Sequence, residues 1–405
     1  MEKDGLVVVG ASLAGLRAVE SARRLGYSGR ITLIGAEEHL PYDRPPLSKE
    51  FLASGEPVDP VFRAERALRE ELGVDLRLGR YATGLDCRQR VVRLGDEEVS
   101  YSALVIATGA QARTLPDTAG LRGVHALRTL DDARSVREAL DAGARTVIVG
   151  AGFIGSEVAS AARKRGLPVT LVEAATVPLT RSVGSEMGGL LAELHRRQGV
   201  DLRLGAGVQR IDGSGSAESV VLTNGAEIPA DLVVVGIGAA PCTGWLEGSG
   251  IDLDPRDKGV LCDSTLAVNA PGVYAAGDVC HWISDLFRGR LRLEHWTSAA
   301  EQGSLAARNA LSLDDAKPYD TVPYFWSDWY DSRIQFVGEP HADDIQVVDK
   351  EWEDGKLLAL YRKADRLVAA LTVNRPTLIM KLRRMIASRA SWQEAVEFAE
   401  EKVRN

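Results

Sequence analysis

An apolar run that ends in a glycine turn and opens a helix occurs twice in this chain, and it constrains the fold more than any other feature. The first copy is Leu6-Val7-Val8-Val9-Gly10-Ala11-Ser12-Leu13-Ala14-Gly15. The second, Thr146-Val147-Ile148-Val149-Gly150-Ala151-Gly152-Phe153-Ile154-Gly155, stands about 140 residues later and supplies the full G-x-G-x-x-G that the first approximates with Ser12. Glycine has a separate reason at each place: the sharp turn off the strand, backbone approach to a pyrophosphate, and close packing of helix on strand. The phosphates then sit at a helix N-terminus, where free N–H groups and the helix dipole favour negative charge. One such motif is weak evidence. Two, each after an apolar strand and each followed by an acidic residue at suitable spacing, predict two dinucleotide sites.

Each turn belongs to a longer unit. After the first, Leu16, Val19, Ala22 and Leu25 recur at helical spacing, Gly26 is a stop, and Ile31-Thr32-Leu33-Ile34 is a second strand. Glu37 and Glu38 follow it, either as ribose-binding carboxylates or as solvated loop acids. The prolines of Pro41-Tyr42-Asp43-Arg44-Pro45-Pro46-Leu47-Ser48-Lys49 predict a stiff, extended segment, with Lys49 on the surface or beside a cofactor ring. Residues 63–72 read as helix, and short strands lead to Ala103-Leu104-Val105-Ile106-Ala107-Thr108-Gly109. In the second unit, Ala230-Asp231-Leu232-Val233-Val234-Val235-Gly236-Ile237-Gly238 occupies the corresponding place. The repeat is a strand-helix-strand unit with its closing strand, and one unit is inserted into the other.

Glu173 ends a strand about 23 residues after Gly150, the spacing of a ribose-binding acid. A buried carboxylate there accepts from the ribose hydroxyls and repels a 2′-phosphate, and no arginine stands among Ala174 to Val177, so NADH is expected over NADPH. Glu157 is expected in the first turn of its helix, either complementing the dipole or serving the site. Val273-Tyr274-Ala275-Ala276-Gly277-Asp278 reads as a strand ending at a carboxylate, with Trp296 beyond it. After about residue 320, Ile334, Phe336 and Leu367 to Leu371 predict antiparallel strands, and Trp392 to Val403 an amphipathic helix.

With 405 residues and a net charge of −8, the chain suits two or three domains and lacks a general nucleic-acid footprint. Its four cysteines, Cys87, Cys242, Cys262 and Cys280, show no C-x-x-C and read as reduced thiols of a cytoplasmic protein, with no metal site expected. The opening Met1-Glu2-Lys3-Asp4-Gly5 has no basic n-region, and no apolar run approaches the ~18 residues of a membrane span. The histidines are read as exposed or internally satisfied.

Together these features resemble the flavoprotein pyridine-nucleotide disulfide oxidoreductase superfamily, and within it the ferredoxin reductases of oxygenase systems. The resemblance covers nearly the whole chain and is most specific at Arg44 to Lys49, Ala107-Thr108-Gly109, Gly150 to Glu157, Ala276-Gly277-Asp278 and Phe325-Trp326-Ser327-Asp328. It implies an α/β fold: two nested Rossmann-like dinucleotide-binding domains, as in glutathione reductase, plus a C-terminal α+β domain. The expected bounds are 1–110 and 244–319 for FAD, 111–243 for NADH and 320–405 for the last domain. It further implies that Gly10, Ser12, Ala14, Gly15, Arg44, Pro45, Lys49, Ala82, Ala107, Thr108, Gly109, Arg128, Gly277, Asp278 and Trp296 hold FAD. NADH falls to Gly150, Gly152, Phe153, Ile154, Gly155, Glu173 and Gly238, with Glu157 approaching the nicotinamide and Lys49 the isoalloxazine. The usual ribose acid of the FAD unit falls on Ala36, so Glu37 must substitute for it.

Disulfide reductases of the superfamily carry a redox cysteine pair beside the flavin, where this chain has Pro45 to Lys49. Without a thiol relay, electrons leave the flavin directly for an external acceptor, here expected to be a two-iron two-sulfur ferredoxin serving an oxygenase, with the reductase a monomer or weak dimer. A rubredoxin reductase and a non-enzymatic flavoprotein related to apoptosis-inducing factor remain open alternatives. Arg288, Arg290 and Arg292, or Lys381, Arg383 and Arg384, are the two candidate basic faces for an acidic ferredoxin, the first favoured by its place just before the Trp296 segment.

Overall fold

The computed structural model describes residues 5–312, 315–349 and 355–404; Met1 to Asp4, on which most of the reading of the N-terminus rests, lie outside them. The chain forms two compact units, one of Met1–Asp43, Pro60–Gln111 and Ala239–Pro323, the other of Arg44–Asp59, Ala112–Gly238 and Tyr324–Asn405.

In the first unit, strand Leu6–Val9 lies at the centre of a five-stranded sheet, between Ile31–Ile34 and Ala103–Ile106, with Val74–Arg77 and Val273–Ala275 at the edges. All pairings are parallel, and Leu6 registers with both Ile31 and Ala103. Strands covered on both faces need apolar residues on both faces, which is why the first two and Ala103–Ile106 are unbroken apolar or β-branched runs, each fully buried. Helices Leu13–Arg24 and Trp296–Leu311 pack together, with Gly303 of the second closely against Ala14 of the first.

The second unit repeats this plan: Thr146–Val149 lies between Val169–Glu173 and Leu232–Val235, again all parallel, and Thr146 registers with Val169 and Leu232. The internal repeat in the sequence is therefore a repeat in space. The same unit contains a five-stranded antiparallel sheet, in the order Tyr324–Trp329, Ser332–Gly338, Arg366–Val373, Leu357–Lys363, Asp344–Asp349, followed by helices Pro376–Ala387 and Trp392–Arg404.

The proline loop differs from expectation. Pro45–Ser48 is a short 3-10 helix, with Leu47 N–H donating to Arg44 O at 2.9 Å and Lys49 N–H to Pro46 O at 3.0 Å. Two prolines at a helix start cost no hydrogen bond, because the first N–H groups have no intrahelical partner, and a proline φ already suits the turn. Residues 67–71, inside the segment read as helix, form a single π-helical turn.

Candidate functional site

The two glycine turns have nearly the same geometry. Gly10 sits at φ +120°, and a Cβ there would lie 2.0 Å from Ala107 O; Gly150 sits at φ +102°, with Gly236 O at 2.3 Å. A Cβ on Gly15 would lie 1.9 Å from Gly10 O, and one on Gly155 2.1 Å from Gly150 O. Neither pair tolerates a side chain. The middle position does: Gly152 is an extended N-cap whose would-be Cβ meets nothing closer than Gly236 O at 4.0 Å. Ser12 is the N-cap of the first helix in the same extended conformation, so its departure from the motif leaves the turn intact.

Around the first turn the structure gathers Ala14, Ala107 and Gly277, a Cβ on Gly277 lying 3.2 Å from Ala14 Cβ. Thr108 Oγ1 donates to Cys242 O at 2.8 Å, and Gly109 O accepts the Cys242 N–H at 2.9 Å. Gly277 N–H donates to Gln302 Oε1 at 2.8 Å, while Gln302 Nε2 is buried with no hydrogen-bond partner among the described residues. Trp296 Nε1 donates to Asp43 Oδ1 at 2.7 Å. Ala82 and Asp278 are half-buried. Glu37 is half-buried and accepts from Tyr42 Oη at 2.6 Å, whereas Ala36 is exposed. Sequence reasoning missed Gln302 and also Gly303, where a Cβ would lie 2.1 Å from Ala14 O; a glycine inside a helical pattern was the available signal.

In the second unit, Glu173 is half-buried rather than buried. Its two oxygens accept from Ala151 N–H and Ala175 N–H, both at 2.9 Å, which fixes the carboxylate beside the glycine turn with lone pairs to spare. Phe153 and Ile154 open the helix, Ile154 remaining exposed, and Gly238 O accepts Arg113 N–H at 2.9 Å. Arg44 Nη1 donates to Arg128 O at 2.5 Å.

Glu157 is the fifth residue of helix Phe153–Lys164, just past the first turn in which it was expected, because the helix is capped as early as Gly152. It is only 3% exposed. Lys49 Nζ lies 2.8 Å from Glu157 Oε2, Ser48 Oγ donates to the same oxygen, and Ser327 Oγ donates to Oε1 at 2.5 Å. A carboxylate taken from water needs such partners, and three side chains supply them here.

Residues 4–303 match the pyridine nucleotide-disulphide oxidoreductase model and residues 324–404 a reductase C-terminal model. The chain belongs to that oxidoreductase family. Rhodocoxin reductase of Rhodococcus erythropolis is 37% identical, over 95% of this chain and 89% of its own length. The biphenyl dioxygenase system ferredoxin–NAD(+) reductase component of Paraburkholderia xenovorans (strain LB400) is 36% identical, over 96% and 94%. The covalent putidaredoxin reductase–putidaredoxin complex superposes with a TM-score of 0.90 at 31% identity, covering 96% of this chain and 94% of that one. FAD and NADH are the cofactors of this pyridine nucleotide-disulphide oxidoreductase. The two glycine cradles, and the unpartnered Gln302 Nε2 beside Gly277, fit such groups.

Two histidines of this oxidoreductase, the buried His195 and the half-buried His295, are strongly shifted. Burial, with Arg196 adding to it, pushes His195 down to about 4; burial likewise takes His295 to about 4 against the pull of Asp278. His195 is held between Tyr330 Oη, 2.7 Å from Nδ1, and Ser156 Oγ, 3.0 Å from Nε2. Its folded pKa lies below the unfolded value of ~6.5, so the unfolded chain binds the extra proton between those values, and stability falls as pH drops through that window and is flat above it. His195→Gln is expected to remove about 2 kcal/mol of the stability difference between pH 7 and pH 5 in urea unfolding. An unaltered pH slope would show that His195 takes up its proton while folded.

Proposed function

We propose that this chain is an FAD-dependent NADH:ferredoxin reductase whose acceptor is a two-iron two-sulfur ferredoxin serving a monooxygenase or ring-hydroxylating dioxygenase, and that it works in the cytoplasm as a monomer or weak dimer. The observation that carries this reading is Lys49, paired with Glu157 and standing in the loop where disulfide reductases of the superfamily place redox thiols. Bound FAD supplies the conversion between a two-electron hydride and single electrons. The protein's own residues bind and orient: the glycine turns take the phosphates, Glu173 takes the adenosine ribose of NADH, and Glu37 takes the FAD ribose in place of Ala36. Asp278, Trp296, Arg44, Pro45, Arg128 and Ala82 complete the flavin contacts. Lys49 approaches the isoalloxazine and Glu157 the nicotinamide.

The docking face is better assigned to helix Pro376–Ala387 than to residues 288–292. Arg292 is engaged by Asp257 at 2.7 Å and Glu294 at 2.9 Å, and Arg290 donates to Cys262 O and His281 O at 2.5 and 2.9 Å. These arginines have structural duties and, for Arg292, neutralising partners. Lys381 and Arg384 are exposed on the helix beside Met380, which is 38% exposed. The test compares a two-iron ferredoxin, a rubredoxin and ferricyanide as acceptors for NADH. Ferredoxin turnover is expected to exceed rubredoxin turnover and to slow as the Debye length falls from about 10 Å at 0.1 M to about 3 Å at 1 M salt. Arg384→Glu should raise the KM for ferredoxin about tenfold and leave ferricyanide reduction intact. Rubredoxin reduced as fast as ferredoxin, or equal loss of both activities in the variant, would defeat the reading or its docking face respectively.

A further inference from the structure

One face of helix Phe153–Lys164 meets a single stretch of the C-terminal sheet at positions i, i+3, i+4 and i+7. Phe153 packs on Phe325 with ring centroids 4.7 Å apart. Ser156 bonds to His195, which also bonds to Tyr330 and stacks on Trp329 at 4.8 Å. Glu157 accepts from Ser327, and Ser160 Oγ accepts the Tyr330 N–H at 2.6 Å. Hydrophobic packing alone would not place three polar side chains on such a face. Ser156, Ser160 and Glu157 are all buried there, and each finds a partner on the sheet or on the histidine between.

The direction of the Ser327 bond follows from its neighbour. An indole N–H can only donate, and Trp329 Nε1 lies 2.8 Å from Ser327 Oγ. The serine oxygen accepts there, which leaves its one proton for Glu157. Ser327 is 0% exposed, so water does not compete. Among the described residues, three side chains meet the Glu157 carboxylate: Ser48 and Lys49 from the proline loop, and Ser327 from the sheet.

We propose that Ser327, oriented by Trp329, is a positioning residue that aims the Glu157 carboxylate, so that the C-terminal sheet completes the nicotinamide end of the NADH site. The proposal rests on the reading that Glu157 approaches the nicotinamide. A free glutamate side chain samples several rotamers, and small displacements at a reacting centre cost up to ~100-fold in rate. Fixing one oxygen from the loop and the other from the sheet removes that freedom.

The test is a double-mutant cycle on the FAD-loaded protein with Ser327→Ala, Glu157→Gln, both together, and Ser327→Thr. Two quantities are measured: the limiting rate of flavin bleaching at saturating NADH, and the visible circular dichroism of the NAD+ complex, which reports how the bound rings sit. Ser327→Ala is expected to slow bleaching about tenfold while changing NAD+ affinity less than about threefold, and to move the dichroism toward that of Glu157→Gln. Ser327→Thr, which keeps the hydroxyl, should restore both, so a general loss of packing is separable from loss of the donor. In the Glu157→Gln background, Ser327→Ala should add nothing. Full additivity of the two substitutions would overturn the positioning role while leaving Glu157 in place. A Glu157→Gln protein with unchanged rate and unchanged dichroism would overturn the reading of Glu157 itself, and the proposal with it.

Discussion

Gly155→Ala is expected to lower kcat/KM for NADH by at least about a hundredfold while the protein stays yellow, and Gly15→Ala to leave a chain that fails to retain FAD. Each added methyl meets a backbone carbonyl: Gly150 O at 2.1 Å in the first case, Gly10 O at 1.9 Å in the second. No rotamer change relieves a clash between Cβ and main chain. The helix must move by about an ångström, because packed atoms of this kind keep ~3 Å or more apart, and the N–H groups that receive the pyrophosphate move with it. A hundredfold loss corresponds to about 2.7 kcal/mol, which misaimed phosphate contacts at a helix N-terminus readily supply. The measurements are the flavin absorbance per chain and ferricyanide reduction over a range of NADH concentrations. The pair also tests which turn serves which cofactor. Loss of flavin from Gly155→Ala with retention in Gly15→Ala would reverse the assignment, and near-normal behaviour of both would remove the dinucleotide reading altogether.

These turns were legible in the sequence because much of the demand for glycine there is local: Gly10 and Gly150 take a positive φ, and Gly15 and Gly155 press on the carbonyl five positions earlier. The parallel strands were legible because burial on both faces leaves no room for alternation. Ser12 looked like a defect until the structure showed that the middle position is an open, extended N-cap. What the sequence could not show were partnerships made across the chain. Glu157 is satisfied by Ser48, 109 positions earlier, and by Ser327, 170 positions later, and no periodicity encodes such a meeting. The same limit hid the engagement of Arg290 and Arg292, since Asp257 and the Cys262 and His281 carbonyls that meet them arrive from other segments. It also hid the approach of Cys262 and Cys280, whose sulfurs lie 3.4 Å apart inside the first unit. The proline loop was misjudged for a local reason: consecutive prolines suit the first turn of a helix as well as an extended segment.

Glu173→Arg is expected to narrow the NADH preference, from on the order of tens to thousands in kcat/KM to about unity or below. The carboxylate lies at the end of its strand, with Oε2 on Ala151 N–H and Oε1 on Ala175 N–H, so the backbone holds it at the mouth of the glycine turn. A carboxylate oxygen accepting one backbone bond has a second lone pair, and a charge-assisted bond to a ribose hydroxyl is worth about 1.5–3 kcal/mol. A 2′-phosphate in that place loses the bond and meets a like charge. Arginine reverses the second effect and offers a fork of donors to the phosphate. It also forfeits the two backbone bonds, so absolute rates should fall with both nucleotides, and the ratio between them is the informative quantity. Glu173→Gln isolates the charge: an amide oxygen still accepts, its nitrogen donates, and the preference should fall to an intermediate value. The check is kcat/KM for NADH and for NADPH with ferricyanide as acceptor, in all three proteins. An unchanged ratio in Glu173→Arg would mean that the ribose is read elsewhere and that Glu173 serves only to brace the turn.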